Sequence, residues 1–258
     1  MRIARFVVDS DPLYGVVEGE SGSEEITVIH GDPFFNGVER THVRHKLEDV
    51  RLLAPIIPRS KVIGVGRNFA EHAAELGNAV PQQPLLFLKP NTSVIGPGDP
   101  IVLPEFSDEV SFEAELCVVI GRICKDVPEE RVDDVIFGYT CGNDLTARDV
   151  QKTDLQWARA KGFDTSAPLG PWIETELDTE DLAIKGWLNG KLRQDGSTSQ
   201  MIRGVREIVS IVSHAFTLLP GDVIMTGTPA GVDLVTDGDR YEIEIEGIGR
   251  LSNPVVRR

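Results

Sequence analysis

Two glutamates separated by a single residue, Glu113 and Glu115, open an apolar segment that runs to position 120. If residues 112–120 form a strand, the period of two places both carboxylates on one face and a wholly apolar set on the other. Cys117 and Val119 continue the glutamate face, so the strand is expected to be buried on both sides. Two buried carboxylates side by side need a retained proton, a basic neighbour or a bound cation. An edge strand whose glutamates reach water is the alternative, and this segment alone does not decide between them.

A third carboxylate, Asp144, lies in residues 138–151, which read as a strand running into a helix. An N-cap is its simpler interpretation. A carboxylate at the end of a strand is also well placed to be a third oxygen ligand. If the turn is helical, Asp144, Arg148 and Gln151 share one helix face.

Three carboxylates without a partnering histidine or cysteine form an oxygen-only ligand set. Such a set suits Mg²⁺, with Mn²⁺ possible, and disfavours zinc. A divalent ion with three carboxylates leaves one net negative charge, which Arg148 and Lys161 would offset while attracting an organic acid. Lys161 and Lys89 are otherwise ordinary surface cations.

His72 and Glu75 provide a candidate base and its orienting partner. The sequence predicts a short helix with Asn68 as N-cap, Glu71 as capping-box partner and Gly77 just past its end. At a spacing of three residues on this helix, Glu75 could raise the basicity of His72 for activation of water. A solvated surface pair is the alternative interpretation.

A glycine-rich turn at residues 226–231 follows an apolar strand. Such a turn can direct N–H groups and the Thr228 hydroxyl toward a carboxylate. A tight loop without a ligand is an equally good interpretation.

The elements that must position these side chains are mostly strands. β-type patterns occur at residues 2–8, 13–18, 25–29, 62–65, 85–88, 113–120, 223–226 and 241–246. An Asn-Gly hairpin is predicted at residues 187–192, and helices at residues 129–135 and 205–218. We therefore predict an α+β, mostly β protein with a small β-rich N-terminal domain (residues 1–57) and a catalytic domain (residues 58–258).

Composition narrows the function further. The chain has 258 residues and a formal net charge of −15, which disfavours nucleic acid and anionic membrane surfaces as partners. Its three cysteines are odd in number and form no CxxC pair, so neither a disulfide framework nor a thiolate zinc site is indicated. Without an evident signal peptide or membrane span, a cytoplasmic location is expected.

Together these motifs resemble the fumarylacetoacetate hydrolase family over about residues 61 to 254, in the family's order. The matching segments are residues 66–72, 87–90, 112–116, 143–151, 161–163 and 226–229. The resemblance implies a mixed β-sandwich roll, usually a homodimer, with an N-terminal domain like that of bacterial two-domain members.

The resemblance also implies roles for individual residues. It places the family's metal ligands on Glu113, Glu115 and Asp144, and its active-site lysine on Lys161. A further aspartate that some larger relatives use as a fourth ligand has no clear counterpart here.

By the same resemblance, four residues are expected to bind substrate and two to activate water in hydrolytic members. The expected substrate-binding residues are Arg148, Gln151, Thr228 and Lys89. The expected water-activating pair is His72 and Glu75.

The implied function is Mg²⁺-dependent cleavage of a carbon–carbon bond in a small 2-oxo carboxylic acid of the 2,4-dioxo, acylpyruvate-like type, through a metal-bound enolate. The same site would also suit isomerisation of a 2-hydroxyhepta-2,4-diene-1,7-dioate from aromatic-compound catabolism, or decarboxylation of an oxaloacetate-like acid. A non-catalytic metabolite-binding protein is a more remote alternative. The His-Glu pair favours hydrolysis.

Overall fold

The structure is a computed structural model that describes residues 1–20, 22–75, 77 and 81–257. It is rich in strands and poor in helices, as the sequence predicts. The strands are β1 (Arg2–Val7), β2 (Leu13–Glu18), β3 (Glu25–Ile29), β4 (Arg40–Lys46), β5 (Arg51–Leu53), β6 (Val62–Gly66), β7 (Leu85–Lys89), β8 (Val94–Ile95), β9 (Ile101–Leu103), β10 (Val110–Ser111), β11 (Ala114–Ile120), β12 (Ile136–Asn143), β13 (Thr146–Ala147), β14 (Ala167–Glu174), β15 (Ala183–Leu188), β16 (Lys191–Ser197), β17 (Val223–Met225), β18 (Arg240–Ile245) and β19 (Gly249–Arg257). The α-helices are α1 (Pro33–Asn36), α2 (Ala70–Glu75), α3 (Arg148–Thr153), α4 (Ala158–Lys161) and α5 (Val205–Ala215). The 3₁₀ helices are Leu47–Asp49, Asn91–Ser93, Glu129–Asp134 and Thr198–Gln200.

The largest sheet has 12 strands, and its main path follows the order β4-β3-β2-β1-β14-β12-β11-β17-β6-β7. Its N-terminal strands join the rest through antiparallel pairing of β1 with β14, in which Arg2 lies opposite Glu174 and Ile3 opposite Ile173. Residues 1–57 therefore extend the same sheet that carries β11 and β12. Their separation as a domain of their own stays a prediction.

A second sheet of five strands, ordered β16-β15-β18-β19-β9, packs against one face of the first. Leu116 and Val118 of β11 share a buried apolar cluster with Ile243 and Ile245 of β18. Cys117 and Val119, on the opposite face of β11, belong to a second apolar cluster. β11 is therefore buried on both faces, which confirms the alternation read from its sequence, and the fold is a mixed β-sandwich.

The predicted hairpin is also present. Asn189 and Gly190 connect β15 to β16 with φ angles of 52° and 75°. Positive φ at both central residues is the geometry that Asn-Gly turns favour, because it matches the twist of the paired strands.

The observed helices differ from the predicted ones in their bounds or their type. The helix predicted at residues 205–218 ends at Ala215, because Phe216 adopts an extended conformation. The helix predicted at residues 129–135 is a 3₁₀ helix, Glu129–Asp134. Among the described residues, no helix has the length and apolar character that a membrane crossing requires.

Candidate active site

A cavity of about 270 Å³ opens beside the start of β11 and the end of β17. Its walls include eight of the residues expected to act in metal binding, catalysis or substrate binding, together with side chains that the sequence did not single out. The lining residues are Val65, Gly66, Arg67, His72, Glu113, Glu115, Asp144, Arg148, Gln151, Lys152, Trp157, Lys161, Gly227 and Thr228.

Antiparallel pairing of β11 with β12 brings the three carboxylates together. Ala114 lies opposite Asn143, so that Asp144, the next residue of the chain, falls beside Glu113 and donates its N–H to the Glu113 carbonyl over 3.0 Å. Glu113, Glu115 and Asp144 are buried and offer carboxylate oxygens that lie within 4.8 Å of one another. The structure thus brings together the three ligands predicted from the sequence.

Three cationic side chains surround this cluster. Lys161 Nζ donates to Glu113 Oε2 over 2.7 Å and to Asp144 Oδ2 over 2.6 Å. Arg148 Nη2 donates to Glu113 Oε1, and Lys89 Nζ donates to Asp144 Oδ1, each over 2.5 Å. Three carboxyl groups are therefore packed with three cations in a buried volume.

Lys89 differs from the other two cations in its position. Its side chain is fully buried on the far side of Asp144 and does not line the cavity, whereas Lys161 and Arg148 do. The structure therefore places Lys89 in contact with a candidate metal ligand, and its role in substrate binding stays a prediction.

The carboxylates differ in their electrostatic surroundings. Burial would raise the pKa of Glu113, but the charges of Lys161 and Arg148 outweigh it and hold that pKa well below its usual range. Burial, reinforced by the charges of Asp144 and Glu113, raises the pKa of Glu115 well above its usual range. Glu115 accepts a 2.8 Å hydrogen bond from the N–H of Gly227. Among the described residues, Glu113 and Asp144 therefore contact cationic side chains, whereas Glu115 does not.

His72 lies on α2 at the wall of the cavity. Its Nε2 is 3.9 Å from Glu113 Oε1, and its Nδ1 is 3.5 Å from Glu75 Oε2. The contact with Glu75 is close enough for electrostatic interaction but not for a hydrogen bond, and within the described ranges Nδ1 has no hydrogen-bond partner. Burial lowers the pKa of His72, as do the charges of Arg148 and Lys161. His72 is therefore neutral at neutral pH, the form that a base requires.

Glu75 does not line the cavity but contacts the loop at residues 226–231. Both of its carboxylate oxygens lie 3.2 Å from the Gly231 N–H, which donates to them. The predicted dyad therefore exists as a neighbouring pair, with His72 at the cavity and Glu75 behind it.

Asn68 does not cap the helix as predicted. Its amide donates to the carbonyl oxygens of Arg203 and Thr226 over 3.0 and 2.9 Å, and its Oδ1 accepts from the Arg203 N–H. These tertiary partners replace the local capping bond, and α2 begins at Ala70. Gly77 has the expected left-handed conformation, with φ of 68°, and donates to the Ala74 carbonyl.

The helix predicted near Asp144 begins later in the chain than expected. α3 begins at Arg148, and Asp144 lies before β13, outside the helix. It is therefore neither a helical residue nor the N-cap of α3, which is Ala147. Arg148 and Gln151 do share a face, and Arg148 Nη1 donates to Gln151 Oε1 over 3.0 Å.

The loop at residues 226–231 directs its polar groups toward the protein's own carboxylate strand. Gly227 donates to Glu115, and the Thr228 hydroxyl donates to the Ala114 carbonyl over 2.8 Å. Gly227 has a φ of 100°, and a Cβ there would lie 2.9 Å from Asn68 Cβ. The loop is thus a support for the carboxylates as well as part of the cavity wall.

Three lining residues were missed by the sequence analysis: Arg67, Lys152 and Trp157. Arg67 adopts a left-handed conformation with φ of 58°, which is uncommon outside glycine and recurs at functional sites. Trp157 packs edge-on against Phe87 with ring centroids 5.7 Å apart. Only the lone tryptophan within a polar stretch could have drawn attention in advance.

Known proteins match this chain over its full length. The family described as "Fumarylacetoacetate (FAA) hydrolase C-terminal" matches residues 61–256, and a second, "Rv2993c-like, N-terminal", matches residues 1–55. Protein Rv2993c of Mycobacterium tuberculosis is 49% identical over 268 residues, which cover 100% of this chain and 99% of that protein.

Solved structures share the fold. The structure of 5-carboxymethyl-2-hydroxymuconate delta-isomerase from Mycobacterium smegmatis is 48% identical, with a TM-score of 0.93 and 100% coverage of both chains. Maleylpyruvate hydrolase from Sphingobium sp. SYK-6, solved in complex with manganese(II) and pyruvate, is 33% identical, with a TM-score of 0.80 over 100% of this chain and 99% of that one.

Proposed function

Because this chain belongs to the fumarylacetoacetate hydrolase family, whose members are enzymes, we propose that it binds Mg²⁺ and cleaves a carbon–carbon bond of a small acylpyruvate-like 2-oxo acid. One observation carries the proposal. Three buried carboxylates converge on a cavity that also exposes a lysine, an arginine and a neutral histidine.

The carboxylate cluster fits a hard divalent cation. Oxygens of Glu113, Glu115 and Asp144 lie within 4.8 Å of one another. Among the described residues Glu115 has no cationic side chain in contact with it, an imbalance that helps to raise its pKa. A divalent ion on an oxygen-only set would remove that imbalance. When bound, the ion would act as a Lewis acid that polarises an oxygen of the 2-oxo acid. The manganese complex of the Sphingobium hydrolase supports this assignment, and Mn²⁺ is the alternative ion.

The cationic side chains at the cavity are suited to bind the acid group of the substrate. Lys161 and Arg148 place positive charge beside Glu113, and Gln151 is held next to Arg148 by their hydrogen bond. The same charges stabilise the enolate that forms as the carbon–carbon bond breaks. Thr228 also lines the cavity, where its hydroxyl donates to the Ala114 carbonyl and accepts from the Gln194 amide.

His72 is proposed as the base that prepares water. Its lowered pKa leaves the imidazole neutral, and Nε2 faces the cavity near Glu113. The water gives a proton to this nitrogen while its oxygen attacks the distal carbonyl, and the bond between that carbon and the methylene carbon breaks. Glu75 stabilises the imidazolium, which returns the proton to the enolate carbon.

A panel of acids tests the reaction type and the metal together. Acylpyruvates, fumarylpyruvate, oxaloacetate and hydroxydienoates should be assayed with saturating Mg²⁺ and with EDTA. We expect acylpyruvate cleavage that EDTA abolishes and Mg²⁺ restores. No turnover of any acid at saturating Mg²⁺, by a protein with an intact fold, would contradict the proposal.

A His72→Ala variant separates hydrolysis from chemistry that needs no activated water. We expect it to lose acylpyruvate cleavage and to retain any decarboxylation of oxaloacetate, because the charges that stabilise an enolate remain. Equal loss of both activities would overturn the role given to His72.

Isomerisation is the second candidate, and the relatives favour it. The Mycobacterium smegmatis protein, an isomerase by its description, shares 48% identity with this chain, whereas the hydrolase shares 33%. An isomerase would use the same enolate and move a proton without adding water. Conversion of a hydroxydienoate at a rate that exceeds acylpyruvate cleavage would replace the hydrolase assignment with this one.

A further inference from the structure

The fully buried amide of Gln194 reaches the carboxylate strand from the second sheet. It is the single buried residue of β16, whose other residues are exposed or partly exposed. Its Oε1 accepts from the Ala114 N–H over 2.9 Å, and its Nε2 donates to Thr228 Oγ1 over 2.7 Å and to the Pro229 carbonyl over 2.8 Å. The donor at Ala114 and the acceptor at Pro229 fix which end of the amide is oxygen.

Ala114 is the residue between the two glutamates, and its backbone needs these partners. On the β12 side, Glu113 has its N–H and carbonyl bonded to Asn143 and Asp144. The Ala114 groups point the other way, where β17 pairs with β11 only over residues 117–119. Gln194 takes the Ala114 N–H and Thr228 takes its carbonyl, so two side chains replace the missing stretch of neighbouring strand.

The amide has no hydrogen-bonding capacity left over. Besides Ala114, Oε1 accepts from the Tyr241 hydroxyl over 2.6 Å. That hydroxyl lies over Gly186, where a Cβ would be only 2.1 Å from it, and the Tyr241 ring stacks on Phe112 with centroids 4.0 Å apart. A saturated, buried polar network of this kind specifies one arrangement of its members.

We propose that Gln194 is a positioning residue for metal binding, which holds Glu113 and Glu115 at a fixed mutual geometry through Ala114. The same amide holds Thr228 and Pro229, and therefore the loop whose Gly227 N–H bonds to Glu115. The Gln194 side chain thus fixes both the backbone between the two glutamates and the loop that contacts Glu115. The inference rests on the proposed function, since it concerns the same metal site.

Mn²⁺ binding tests this inference without an assay of turnover. The dissociation constant and the EPR line shape of bound Mn²⁺ should be measured for the wild type and for Gln194→Met, which keeps the side-chain length and removes its hydrogen bonds. We expect the dissociation constant to rise about tenfold or more, as for other residues that orient metal ligands, and the EPR line shape to change.

Gln200→Met is the matched control. Gln200 follows β16, is exposed, and accepts a hydrogen bond from the Ser197 N–H, remote from the carboxylates. We expect the Mn²⁺ dissociation constant of Gln200→Met to stay within about twofold of the wild-type value, a much smaller change than the one expected for Gln194→Met. Thr228→Val, which frees the Ala114 carbonyl from the other side, gives the same test if Gln194→Met does not fold.

Wild-type affinity and line shape in Gln194→Met, or in Thr228→Val where the first variant is unfolded, would overturn the inference even if the melting temperature fell. That result would leave the proposed metal site intact. A wild-type protein that binds no Mn²⁺ would instead overturn the proposed metal site, and the inference with it.

Discussion

The carboxylates are built into a sheet, whereas the His72–Glu75 pair stands on a helix of 6 residues. Glu113 and Glu115 lie at the start of a strand that is buried on both faces, pairs with β12 from Ala114 onward and pairs with β17 over residues 117–119. α2 is tied to the loop at residues 226–231 by the bond from Gly231 to Glu75. The metal ligands are therefore preorganised by the sheet, while the proposed base depends on a short helix that this loop contact helps to hold. The carboxylate cluster and the His72–Glu75 pair should therefore respond differently to mutation.

The largest expected effect is that of Asp144→Ala. It removes a proposed metal ligand and the shared acceptor of two buried ammonium groups, those of Lys89 and Lys161. We expect metal binding to be lost and the free energy of unfolding to fall by about 3–5 kcal/mol, the usual cost of breaking a buried ion pair. Calorimetric titration with Mn²⁺ and urea unfolding measure these effects.

Asp154→Ala is the control for that variant, because Asp154 pairs with Arg159 at the surface. We expect it to bind Mn²⁺ like the wild type. Normal metal binding by Asp144→Ala would show that the ligand set has been assigned wrongly.

Lys89→Met tests whether the buried lysine supports the carboxylates or binds substrate. Its ammonium contacts Asp144 and does not line the cavity, so we expect a loss of about 3 kcal/mol in the free energy of unfolding. At a temperature where the variant is folded, KM should change little. A large rise in KM without loss of stability would support the role in substrate binding predicted from the sequence.

Glu75→Gln should affect the base without affecting the metal. The amide cannot stabilise an imidazolium as a carboxylate does, so we expect kcat for water-dependent cleavage to fall about tenfold to a hundredfold. Mn²⁺ affinity should stay at the wild-type value, because Glu75 lies behind His72, away from the ligands. Loss of metal affinity in this variant would remove the distinction between the two parts of the site.

The smallest expected effect is on the pH dependence of metal binding. Since burial and the neighbouring carboxylates raise its pKa, Glu115 in the metal-free protein keeps its proton to a higher pH than an ordinary glutamate, and it must lose that proton when it becomes a ligand. Metal affinity should therefore increase with pH, by at most about tenfold per pH unit for one proton, and level off above the pKa of Glu115. Titrations in buffers of different ionisation enthalpy would count the released proton. Affinity that does not depend on pH would contradict this assignment.

The sequence predicts the parts of the site that depend on local periodicity. Strand alternation places Glu113 and Glu115 on one face, and the structure confirms this arrangement, since both carboxylates join one cluster at the start of the fully buried β11. Gly77 and the Asn189–Gly190 turn are also predicted correctly, since a positive φ leaves a clear preference in residue type.

The predictions that fail are those in which distant partners decide. Asn68 has the sequence context of an N-cap, but Thr226 and Arg203, more than 130 residues away, take its hydrogen bonds. Gln194 and Ala114 are 80 residues apart on different sheets, and no local pattern indicates that they meet. The burial of Lys89 behind Asp144 likewise depends on how β7 packs beside α4.

A crystal structure of the protein soaked with Mn²⁺, with anomalous data collected for manganese, tests the central claim most directly. We expect one strong peak in the cavity, with oxygens of Glu113, Glu115 and Asp144 at about 2.0–2.2 Å, as for a small divalent ion with oxygen ligands. Lys161 should remain beside the same carboxylates. A cavity without a peak at saturating Mn²⁺, with these carboxylates turned away from one another, would contradict it.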